Sequence, residues 1–100
     1  MTQIQFTNAA RQDLKNIFSY TIHTWGKPQA QKYSEQLKQH VKKIAQNAAF
    51  CKPVLHGQRN LKQSTVGRHL IIFEKTEDKL LIVRILHEAM DIPRHISSTH

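Results

Sequence analysis

The chain has 100 residues, with 15 Lys and Arg against 7 Asp and Glu, a formal net charge of +8 and a hydrophobic share of 39%. That length supports one domain with a modest core, and no apolar run reaches the ~20 residues needed to span a bilayer. The opening Met1–Phe6 lacks the basic-then-apolar pattern of a signal peptide, and the single Cys51 excludes an internal disulfide or a multi-cysteine metal site. A cytoplasmic setting and an acidic partner are the expectation: nucleic acid, a machine that handles it, or an acidic protein. A merely solvated basic surface is the plainer reading of the same charge.

Thr2 to Phe6 reads as a short strand with Ile4 and Phe6 on one face. Thr7 then offers a helix N-cap hydroxyl, followed by the helix-favouring Ala9 and Ala10. Apolar or small residues recur at Ala10, Leu14, Ile17, Phe18, Thr21, Ile22 and Trp25, a helical stripe that Gly26 is placed to end. Pro28 suits the first turn of a second helix, because its missing N–H is not needed there. Ala30, Tyr33, Leu37, Val41, Ile44 and Ala48 form the second stripe. So short a connection predicts an antiparallel helical hairpin with Leu14, Ile17, Leu37 and Val41 as shared core. Trp25 and Tyr33 are expected to pack near its tip.

Phe50 to Lys62 reads as a loop punctuated by Pro53 and Gly57 and carrying Lys52, His56, Arg59 and Lys62. It is either a solvated connection or a basic arm that reaches a partner. Gln63 to Val66 is a short strand, and Gly67 permits a turn or bulge. The run from Gly67 to His87 then holds two dense apolar segments around the polar Lys75–Lys79, the pattern of a β-hairpin. Strict alternation would place Leu81, Val83 and Ile85 against the helices, and Leu80, Ile82, Arg84 and Leu86 on an open face. A guanidinium in mid-strand costs stability unless solvated or paired, which singles out Arg84. Asp91 could cap a short C-terminal helix with Pro93 in its first turn, and residues 97–100 read as a frayed tail. The order is β-α-α-β-β-β with a short terminal helix: an α+β domain over residues 1–96, the helical hairpin on one face of a small antiparallel sheet.

The seven histidines are scattered, so no metal or cofactor site is expected. Cys51 lacks the surroundings of a nucleophile. Cleavage of RNA would need a base, an acid and cations, for which Arg68, Arg84, His87 and Glu74 are the candidates. Arg84 and His87 are an odd number apart, so a regular strand would put them on opposite faces. Tyr20 and Tyr33 belong to the helices, away from the open face.

The segments A-A-R-Q-D-L, Y-T-I-H-T-W-G, Q-A-Q-K-Y, V-G-R-H-L-I-I-F and I-V-R-I-L-H-E-A-M-D-I-P-R-H-I, in this order from Ile4 to Ile96, resemble the ParE branch of the RelE/ParE toxin superfamily. The resemblance implies a helical hairpin packed on a small antiparallel sheet. It implies a toxin of a type II toxin–antitoxin module that poisons DNA gyrase by stabilising its cleaved-DNA complex, without being an enzyme. RelE-like relatives instead cut messenger RNA on the ribosome, and this chain has no tyrosine after Tyr33 to complete such a set. Arg59, Arg68, Arg84, His87 and Arg94 are the candidate contacts to gyrase or its bound DNA. A structural role for the segment around Arg84 and His87, with Arg84 paired to Asp91 or Glu74, is the alternative. A ParD-like antitoxin would neutralise the toxin and alone carry the contact to operator DNA, with Phe18, Ile22 and Trp25 as candidate anchors in the hairpin groove.

Overall fold

The computed structural model describes residues 2–54 and 60–87. Strand β1 spans Gln3–Phe6, followed by helices α1 (Asn8–Trp25) and α2 (Lys27–Ala45). Strands β2 (Lys52–Pro53), β3 (Lys62–Val66), β4 (His69–Lys75) and β5 (Lys79–His87) complete the described elements. The sheet order is β1-β5-β4-β3-β2. The α+β architecture is the expected one, with two refinements. β1 runs parallel to β5, so the sheet is mixed where a purely antiparallel one was expected. The segment expected to be all loop contributes the two-residue β2, which pairs Lys52 with Gln63 at the sheet edge. The expected terminal helix at Asp91 lies outside the described residues, as do Arg59, Arg94 and the 97–100 tail.

Local chemistry explains the helix ends. Thr7 sits extended, and its hydroxyl accepts from the Ala10 amide while donating to the Val83 carbonyl at 2.7 Å. One side chain thus caps α1 and ties it to β5, where an alanine would leave an orphan helix N–H. Gly26 takes φ +92°, a backbone state that costs other residues strain, and Pro28 starts α2. α2 ends at Ala45, earlier than the stripe through Ala48 suggested, and Asn47 turns the chain at φ +58°. Lys75 reaches from β4 to this end and donates to the Ile44 carbonyl and to Asn47. A cation at a helix C-terminus also complements the helix dipole.

The helices bury Ala10, Leu37, Val41 and Ile44 against Ile71, Phe73, Leu80, Ile82 and Ile85, with Leu14 and Ile17 packed alongside. Val54, Leu61, Ile72, Val83 and Leu86 form a second buried cluster joined by Leu70 and Leu81. Strict alternation along β5 therefore fails. Ile72 pairs with Arg84 but Phe73 pairs with Ile82, so Val83 is an extra residue, a β-bulge. Before the bulge Leu80 and Ile82 face the helices; after it Ile85 does, while Leu81, Val83 and Leu86 join the other cluster. The face expected to be open is buried at Ile72, Val83 and Leu86. Among the described residues no helix is long and apolar enough to cross a membrane.

Candidate functional site

At one end of the sheet Val66, Gly67 and Arg68 turn the chain from β3 into β4, and His69 pairs directly across from His87 on β5. The two imidazole rings meet edge to face with centroids 5.5 Å apart. Tyr33, from α2, leans onto this corner. Its hydroxyl lies 2.6 Å from His69 Nδ1 and 3.3 Å from the Val66 carbonyl. The phenol carries one hydrogen, so the His69 tautomer sets the direction. With a proton on Nδ1 the imidazole donates to the phenol oxygen and the phenol donates to Val66; with Nδ1 bare the phenol donates to the imidazole. Gly67 makes the approach possible. It sits at φ +56°, and a Cβ there would lie 2.7 Å from the Tyr33 oxygen. Arg68 is exposed beside this cluster.

Arg84 stands elsewhere in chemical terms. Its Nε and Nη2 donate to the two oxygens of Asp13 at 2.8 and 3.0 Å, and Asp13 also accepts from the Ile85 amide at 2.9 Å. The side chains are 16% and 12% exposed. The hydrogen bond to Asp13 raises the Arg84 pKa, outweighing the desolvation that would lower it. The expected open-face position of Arg84 is therefore corrected. The bulge at Val83 lies beside the end of β1, where α1 presents Asp13 to the uncovered edge of β5. The carboxylate partner of Arg84 among the described residues is Asp13, which the sequence reading did not name, and Asp91 lies outside the described residues.

The structure thus brings His87 to His69 and Tyr33, next to Arg68, and binds Arg84 to α1. Sequence reasoning missed His69 and Tyr33 as members of the cluster. The signal available was the G-R-H tripeptide after a short strand, which puts an arginine and a histidine at a tight turn. Tyr33 packs against the main core as expected, and its hydroxyl in addition reaches the sheet. Trp25 was also expected in the core and is 71% exposed. It is the last residue of α1, at the point where α2 is only beginning. Phe18 and Ile22 are partly buried on the same helix, and Phe18 lines a shallow groove between α1 and α2 with Leu14, Thr21, Ala30 and Leu37. Among the described residues no group of three or more His, Cys, Asp or Glu is placed to hold a metal.

A two-helix hairpin laid on a five-stranded mixed sheet defines an α+β class of fold, and the comparisons place this chain within a family of it. Residues 4–92 match the family described as "ParE toxin of type II toxin-antitoxin system, parDE", and the chain belongs to that family. It is 30% identical over 92 residues to Toxin ParE1 of Mycobacterium tuberculosis, covering 88% of this chain and 91% of that protein. It is 25% identical over 96 residues to Toxin ParE1 of Caulobacter vibrioides, covering 96% and 99%. The fold is similar to that in a structure titled "Chromosomal ParDE TA system from P. aeruginosa", at TM-score 0.69 and 20% identity over 87% of this chain and 96% of that one.

Proposed function

We propose that this ParE-family toxin inhibits DNA gyrase by binding it and stabilising its cleaved-DNA complex, acting by binding and not as an enzyme. The observation that carries the reading is the family match across residues 4–92. The +8 charge supports it, since the target surface of a gyrase–DNA complex is rich in phosphate. Arg68 and His87, at the basic corner of the sheet, make the target contact together with Arg59 and Arg94. Arg84, tied to Asp13, acts by holding β5 in place for them. A ParD-like antitoxin occupies the α1–α2 groove, with Phe18, Ile22 and Trp25 as anchors, and brings the only contact to operator DNA. The setting is cytoplasmic. Purified protein added to gyrase and supercoiled plasmid should reduce supercoiling and accumulate cleaved complex. Unchanged supercoiling and cleavage would reject the reading.

The Tyr33–His69–His87 cluster favours one alternative, a RelE-like ribosome-dependent endoribonuclease. A phenol, two imidazoles and the neighbouring Arg68 supply candidate groups for proton transfer and charge stabilisation. Primer extension on messages translated in its presence would then show cuts within codons, lost in His87→Ala. Uncut messages in arrested cells would exclude it.

A further inference from the structure

A second concavity lies where α2 meets the β2–β3 edge. His40 of α2 lies with Nε2 2.7 Å from the Ser64 hydroxyl, which donates to the Phe50 carbonyl at 2.8 Å. Because Ser64 spends its one hydrogen on Phe50, it accepts from His40, which fixes the proton on Nε2. This chain of bonds holds the segment after α2 against β3. Between them is a hollow of about 240 Å³ lined by His40, Phe50, Lys52, Gln63, Ser64 and Thr65.

Three features describe its occupant. The hollow is cationic: Lys52 lines it, the charge of Lys43 adds to burial in lowering the pKa of His40, and among the described residues no carboxylate lines it. Phe50 at its rim is 85% exposed. The other large exposed apolar side chains among the described residues, Tyr20 and Trp25, belong to α1. A protein interface is built around a contiguous apolar centre, which a single ring beside Lys52 and Gln63 does not supply. Single rings beside cations are instead the means by which single-stranded nucleic acids are held, one base stacking on each ring while lysines follow the phosphates. The volume falls below the ~300 Å³ of ordinary metabolite pockets, so it is suited to one residue of a longer ligand.

We propose that this hollow binds one nucleotide of a single-stranded nucleic acid, with Lys43 and Lys52 on the phosphates, the base stacked on Phe50 and Gln63 within reach of the base edge. The inference is independent of the gyrase reading, because it concerns a different face and a contact the toxin makes without gyrase.

The test is fluorescence anisotropy of the full chain with a labelled oligothymidylate of about twelve nucleotides, over a range of salt concentrations. Lys43→Gln and Lys52→Gln should each weaken binding and lower the slope of log affinity against log salt by about 0.7. Phe50→Ala should weaken binding about tenfold, Phe50→Trp should restore it, and neither should change binding to an abasic oligonucleotide of the same length. Lys15→Gln, on the exposed face of α1, should leave the Phe50 effect in place. These side chains are exposed, so the variants should fold, and thermal melting confirms that they do. The proposal is overturned if the oligothymidylate does not bind, if abasic and normal strands bind alike, if the lysine variants bind as the parent does, or if polyglutamate competes as well as the oligonucleotide. Failure of this assay with gyrase inhibition intact would remove this site and leave the proposed function standing.

Discussion

Asp13 and Arg84, 71 positions apart in the chain, form a two-pronged ion pair at 2.8 and 3.0 Å, and the same carboxylate accepts the Ile85 amide. The arrangement solves an edge problem. β1 ends at Phe6, opposite Ile82, and β5 continues to His87. An unpaired strand edge is a template for unwanted pairing. Thr7 covers the Ile82 and Val83 carbonyls, and Asp13 covers the Ile85 amide, so α1 completes the ladder that β1 leaves unfinished.

Removing Asp13 leaves a mostly desolvated guanidinium and a backbone N–H without their acceptor. Asp13→Ala is expected to cost about 2–4 kcal/mol, read from urea unfolding. A double-mutant cycle with Arg84→Ala should return a coupling of about 1–3 kcal/mol. A coupling near zero would mean the pair behaves as a solvated surface contact.

Gly67 combines a left-handed backbone with a close approach to Tyr33. Gly67→Ala should therefore destabilise by about 1–3 kcal/mol through backbone strain, with the steric contact added. Tyr33→Ala in the same chain should recover the steric part and leave the backbone part. Strictly additive losses in the double variant would show that the approach to Tyr33 is not tight in solution.

His40 has its pKa lowered in the folded state, first by burial and then by Lys43. The groups facing it are the Ser64 hydroxyl, itself bound to the Phe50 carbonyl, and the cations Lys43 and Lys52. The unfolded chain takes up the proton at higher pH than the folded protein does. Stability from this site is thus present above the unfolded value near pH 6.5 and is lost as the pH falls towards the folded one. His40→Gln retains an amide donor for Ser64 but does not titrate. Its stability relative to the parent should improve as the pH drops below about 6.5, and a constant difference would reject the assignment.

The antitoxin reading places its weight on α1. Trp25→Ala should weaken binding of the cognate antitoxin by about 2 kcal/mol, measured by calorimetry, as expected for an aromatic anchor. Glutamates at Phe18, Ile22 and Trp25 together should abolish neutralisation in cells while circular dichroism shows the fold retained. Full rescue of growth by the antitoxin would move the docking site elsewhere.

Much of this architecture is written locally. Thr7, Gly26 and Pro28 mark the helix boundaries, because capping, positive φ and a missing N–H are properties of single residues. The helical stripes and the hairpin from Gly67 to His87 are periodic, and period is visible in one dimension. The basic character and the ordered segments that carry the family resemblance are equally a matter of reading along the chain. Which β5 side chains meet the helices was decided in three dimensions. One extra residue at Val83 breaks the alternation, so Leu80 and Ile82 face the helices before it and Ile85 after it, and nothing in V-R-I-L-H announces a bulge. Only packing brings Asp13 to Arg84, Tyr33 to His69 and His87, or His40 to Ser64. These partners are separated by an entire helix or more of chain, and the geometry that joins them comes from how the helical hairpin seats on the sheet.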